Sequence, residues 1–115
     1  MIFYLAGRMT GLPGFNFDAF DKACEHLRGV MKLNVKSPHE INYGETDENR
    51  GSLSYETYIK GGLKLLLECD AIILMDGWEL SSGAVNELIV ARCCAMKVFF
   101  YDSDTGILTT NARIP

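Results

Sequence analysis

Three short, nearly unbroken apolar runs constrain this chain most: Ile2 to Ala6, Ala71 to Met75 and Lys97 to Tyr101. Each is too short for a stable helix and shows no alternation, the pattern of strands buried on both faces of a parallel sheet. A weaker fourth strand is expected at Leu33 to Lys36. Between the strands the period changes to three and four residues. Phe17, Phe20, Cys24, Leu27 and Met31 predict a helix over Asn16 to Met31, with Asp18 and Asp21 suited to its first turn. Tyr55, Ile59, Leu63, Leu66 and Leu67 predict a second over Ser54 to Cys69, weakened in its middle by Gly61-Gly62. A third is predicted over Ser82 to Met96, burying Val85, Leu88, Ile89 and Met96, with Ser81 or Ser82 as its N-cap. Strands alternating with single helices imply right-handed crossovers. The expectation is a small doubly wound α/β sandwich around a four-stranded parallel sheet of order 2-1-3-4.

Composition bounds what such a domain does. With 115 residues, 48% of them apolar and 23% charged, the chain suits one globular domain over residues 1–115. No apolar run approaches the ~20 residues of a membrane-spanning helix. Eleven Lys and Arg against fifteen Asp and Glu give a charge of -4 with no basic stripe, which argues against a binder of duplex nucleic acid. Met1 to Ala6 lacks the basic start and the apolar length of a secretory signal, so a cytoplasmic protein is expected. Cys24, Cys69, Cys93 and Cys94 lie in apolar helical patterns without CxxC spacing or clustered histidines. Buried free thiols are expected from them, rather than disulfides or zinc.

Ligands of open α/β sheets bind beyond the carboxyl ends of the strands, where strand order reverses. Here that point lies between strands one and three. Strand one runs into Gly7, Arg8, Met9, Thr10 and Gly11, whose glycines can bring backbone N–H groups near a ligand. The spacing matches neither G-x-x-x-x-G-K-[ST] nor G-x-G-x-x-G. Strand three runs into Asp76-Gly77-Trp78, and Ser81, Ser82 and Gly83 open the third helix. Glu87, about one turn into that helix, should point back toward its N-terminus and into the crevice, where the helix dipole would help keep it ionised. Such a carboxylate can attack an oxocarbenium-like anomeric carbon. Alternatively it is an ordinary first-turn acid facing solvent, the commoner case on spacing alone.

The neighbouring positions are equally two-sided. Asp76 is either a second site carboxylate or the first residue of an Asp-Gly turn. Trp78 stacks on a base or covers the sheet edge, and Tyr4 points to the core or to the crevice. His39 either reaches the ligand or lies on the surface. Residues 37–53 form a long polar loop without periodicity, expected to act as a lid or an edge of the site. The tail from 102 to 115 shows no regular pattern and is expected to be flexible or to cross to another subunit.

Tyr4-Leu5-Ala6-Gly7, Met9-Thr10-Gly11-Leu12-Pro13, Cys69-Asp70-Ala71, Gly77-Trp78-Glu79, Ser81, Gly83-Ala84 and Glu87 together resemble the small DUF4406 proteins of phages and bacteria. These belong to the nucleoside 2-deoxyribosyltransferase-like superfamily. The resemblance covers residues 2 to 101 and is most specific from Asp70 to Glu87. It implies cleavage of an N-glycosidic bond, or deoxyribosyl transfer, on a nucleoside or nucleoside 5′-monophosphate, without metal or organic cofactor. On that carry-over Glu87 is the nucleophile and Tyr4 orients it. Asp76 touches the sugar or base, Gly7 and its neighbours approach the sugar or phosphate, and Ser81 and Gly83 border a 5′-group. Relatives often form homo-oligomers in which a neighbouring chain completes the pocket. The chain departs from many relatives at Gly61-Gly62, where they carry an aspartate, and at Arg8. A catalytically silent protein that senses or sequesters a nucleotide signal is the alternative.

Overall fold

The computed structural model describes residues 1–46 and 48–110. The strands are β1 (Ile2–Ala6), β2 (Asn34–Lys36), β3 (Ala71–Leu74), β4 (Lys97–Asp102) and β5 (Ile107–Thr109). The helices are α1 (Phe17–Gly29), α2 (Tyr55–Leu66) and α3 (Ser82–Cys93), with 3-10 turns at Pro13–Asn16, Pro38–Glu40 and Trp78–Leu80. The sheet runs β2-β1-β3-β4-β5. The first four strands are parallel, in registers such as Phe3 opposite Val35 and Tyr4 opposite Ile72. The predicted α/β sandwich and the order of those four strands are what the chain adopts.

The sheet has one strand more than expected. Ile107–Thr109 pairs antiparallel with β4, Tyr101 lying opposite Leu108. Gly106, at φ +73°, makes the hairpin turn in the left-handed region that glycine tolerates. A three-residue edge strand carries too little pattern to be read from sequence. Thus the stretch expected to be a patternless tail is sheet as far as Thr109, and 111–115 lie outside the described residues.

Alternation along β1 divides the core. Phe3 and Leu5 face α1 with Phe20, Leu27, Ile73 and Met75, whereas Tyr4 and Ala6 face α2 and α3 with Leu66, Ile72, Leu74 and Leu88. The question left open for Tyr4 is thereby decided: it lies on the α2/α3 side with no exposed surface. Helix α3 ends where Ala95 turns to φ +56°. It buries Ala84, Glu87, Leu88 and Ala91, while Ile89 stands 54% exposed, because small residues let the helix sit close to the sheet on a face rotated from the predicted one. On α2, Gly62 and Leu66 are buried, while Tyr55 and Leu67 are exposed. All four cysteines are free. Cys24 and Cys69 are buried as expected, but Cys93 and Cys94 are exposed where α3 runs out. No helix among the described residues is long and apolar enough to cross a membrane.

Candidate active site

Strand order reverses between β1 and β3, and a cavity of about 580 Å³ opens beside the carboxyl end of β1. Gly7, Arg8, Met9 and Thr10 supply the β1 side, and Ser81, Ser82 and Gly83 supply the start of α3. Ser81 is the N-cap of α3, its hydroxyl accepting from the Ala84 N–H at 3.1 Å. Six residues beyond that cap, Glu87 lines the same cavity and is only 6% exposed. The Tyr4 hydroxyl donates a hydrogen bond to Glu87 Oε2. Strand β1 and helix α3 thus bring together a buried phenol and a carboxyl, and the residue that carries the carboxyl lines the cavity.

Burial decides the electrostatics of this pair. Removal from water pushes the Glu87 carboxyl up to about 7, against the smaller, opposite effect of the hydrogen bond from Tyr4. The expectation that the helix dipole keeps Glu87 ionised is therefore corrected: desolvation outweighs it in the second turn, beyond the reach of the terminal N–H groups. The Tyr4 phenol is pushed well above its ordinary value, by burial first and the adjacent carboxylate second.

Not every anticipated residue lines the cavity. Asp76 is exposed, and its Oδ2 accepts from the Ser103 N–H at 3.0 Å and from the Ser103 hydroxyl. The Asp-Gly turn sends this carboxylate toward the β4–β5 hairpin. Trp78 packs on Phe100, ring centroids 6.1 Å apart, and joins the core on the α2/α3 side. Gly11 stays in its turn at φ +85°. Gly7 is required for packing as well as for the rim, since a Cβ there would meet Met75 and Phe20 at 3.2 Å.

The polar loop forms the remaining wall. Its residues Ile41, Tyr43, Glu45, Arg50 and Leu53 line the cavity. Glu45 Oε2 accepts from the Tyr58 hydroxyl at 2.6 Å and from the Gly51 N–H at 2.8 Å, pinning the loop to α2. At its other side Arg50 lies over the Phe17 ring, 4.7 Å from the centroid. We call residues 41–53 the strap. Its aromatic and glycine contacts follow no sequence period, so Tyr43, Tyr58 and Phe17 were not named as site residues, and Gly62 was noted only as one of the paired glycines that weaken α2 and depart from the family pattern.

His39 also lines the cavity, yet it is held in place: Nε2 meets Asp21 Oδ1 at 2.7 Å, and Nδ1 meets the Ser37 hydroxyl. Cys24, His39 and Glu40 bring potential metal-ligating atoms within 4.8 Å of one another. Protein partners already engage Glu40 and His39. Arg28 bonds both Glu40 oxygens, at 2.9 and 2.6 Å, and the His39 ring is held by Asp21 and Ser37. The cluster ties α1 to the end of β2.

No curated protein matches the chain. The family description that does match is a domain of unknown function, DUF4406, over residues 1–100. That span takes in the cavity, the strap and the Tyr4–Glu87 pair, and the chain belongs to the DUF4406 family.

Proposed function

We propose that this protein cleaves the N-glycosidic bond of a nucleoside or nucleoside 5′-monophosphate, or transfers its deoxyribosyl group, with Glu87 as nucleophile. The observation that carries the reading is a buried carboxyl, held by Tyr4, on a residue that lines a cavity of about 580 Å³. The carboxylate oxygen attacks the anomeric carbon. The carbon–nitrogen bond breaks, its electron pair leaving with the base, which takes up a proton. Water, or a second base, then breaks the glycosyl ester and restores the carboxylate. These steps call for no metal or organic cofactor. Tyr4 holds the attacking group at one angle, and its hydrogen bond favours the ionised form that attack requires.

Arg8, Thr10, Ser81, Ser82 and Gly83 stand around the rim, in reach of a sugar or a 5′-group entering the cavity. Asp76 is left out of this assignment, because its carboxylate serves Ser103. A second copy of the chain completing the pocket belongs to the same proposal, as the family resemblance implies.

The test is incubation with a panel of nucleosides and nucleoside monophosphates, followed by chromatography. Wild type is expected to release free base, and Glu87→Ala to reduce release at least about a thousandfold, the scale on which loss of a nucleophile is felt. Release by Glu87→Ala at the parental rate would sink the assignment. A second reading, a silent nucleotide sensor, is favoured by one observation: Glu45, the other acid among the described residues of the cavity wall, is already engaged by Tyr58 and Gly51. Tight binding with every ligand recovered unchanged is its signature.

A further inference from the structure

Two adjacent glycines inside a helix weaken it by roughly 1 kcal/mol each relative to alanine, so their place in α2 needs a compensating reason. That reason lies on the cavity side. A Cβ at Gly62 would stand 2.9 Å from Glu87 Oε2 and 3.0 Å from the Tyr4 hydroxyl. A Cβ at Gly61 would collide with the phenol of Tyr43, meeting Cε1 and Cζ at 2.9 Å and the hydroxyl closer still. Gly61 is thus a notch in the helix into which the strap lowers a tyrosine. Tyr43 meets Tyr58 edge-on, ring centroids 5.2 Å apart, and its hydroxyl donates to the Tyr58 carbonyl at 3.3 Å. The ring is half-buried and lines the cavity. Its phenol is pushed up, first by burial and then by the nearby charges of Tyr58, Glu45 and Glu87.

We propose that Tyr43 is a positioning residue for Glu87: docked in the Gly61 notch, its ring closes the α2 side of the cavity and keeps water from the carboxyl. Among the described residues, three elements bring groups near Glu87. Strand β1 presents Tyr4, α2 presents Gly62 with no side chain, and the strap presents Tyr43, with Glu45 of the strap and Tyr58 of α2 near its phenol. Arg8, Arg50 and His39 also line the cavity, while the causes that move the Glu87 carboxyl are burial first and the Tyr4 hydrogen bond second. With burial as the leading cause of its raised proton affinity, the cover over Glu87 controls its charge.

Only the catalytic meaning of this proposal rests on the function proposed above. The test is a carboxyl ¹³C NMR titration of the ligand-free full chain, the Glu87 signal being assigned by its loss in Glu87→Gln. Tyr43→Ala and Gly61→Ala are each expected to bring the midpoint down from about 7 toward the ordinary carboxylate range. Tyr43→Phe keeps the ring and is expected to titrate like wild type. Tyr43→Ala adds no atoms, so it decides the matter even if Gly61→Ala unfolds. An unchanged midpoint in Tyr43→Ala, or a Phe variant that titrates like the Ala variant, overturns the proposal. Base release measured on the same samples reports separately on the nucleophile: a chain that titrates as expected yet releases no base keeps Tyr43 in this role and removes that function.

Discussion

At the scale of single residues, Glu87 links stability to chemistry. Its carboxyl titrates at about 7 in the folded chain and near 4.5 when solvated, so the folded state holds its proton more tightly than the unfolded state does. The stabilisation is complete below pH 4.5 and is lost as pH rises through 7. A shift of that size corresponds to about 3 kcal/mol. Urea unfolding of wild type and Glu87→Gln at pH 5 and pH 8 is therefore expected to show the glutamine variant gaining on wild type by that order as pH rises. A constant difference between the two proteins would mean that the carboxyl is not desolvated. Activity should run the other way. Attack needs the carboxylate, so base release is expected to rise with pH through about 7 and then level off. Position one turn into the helix singled Glu87 out, but spacing alone made a solvent-facing acid the commoner reading; the packed structure turns it inward. Its proton affinity was not legible, because burial is a property of everything packed around it.

At the scale of elements, helix α2 sacrifices propensity for fit. Its interior glycines look like weaknesses in one dimension and become recesses in three, occupied by Tyr43 on one side and by the Tyr4–Glu87 pair on the other. Gly62→Ala supplies a better helix former but drives a methyl group into two buried polar atoms. The net expectation is a loss of roughly 1–2 kcal/mol, overpacking exceeding the propensity gain; thermal or urea unfolding that finds the variant as stable as wild type would contradict it. The strands of this chain were readable because runs such as Ile2 to Ala6 are buried on both faces and declare themselves by composition alone. Helix faces were harder. Ile89 was assigned inward and lies outside, since Ala84 and Ala91 are small enough to bring that side of α3 against the sheet. A hydrophobicity pattern ranks large apolar residues first and cannot see that preference.

At the scale of the whole molecule, the sheet is closed on its β4 side by a strand that sequence reasoning missed. Strand β5 covers the hydrogen-bonding edge of β4, and Leu108 packs against the core on the α1 side. The His26 ring nitrogen meets the Gly106 carbonyl at 3.0 Å, tying the hairpin turn back to α1. Ending the chain after Ser103 strips β4 of this cover and leaves an open parallel edge. The shortened protein is expected to self-associate on size-exclusion chromatography at concentrations where the full chain does not; indistinguishable elution profiles would count against a protective role for β5. The strap has a different significance. Its described residues lend no strand to the sheet and no helix to either layer, yet they supply much of the wall of the cavity that Glu87 lines. The sheet-and-helix scaffold and much of the cavity wall are therefore written in separate stretches of this polypeptide. Descendants of one ancestor could swap what they accept by rewriting a dozen or so loop positions, while the scaffold beneath them stays untouched.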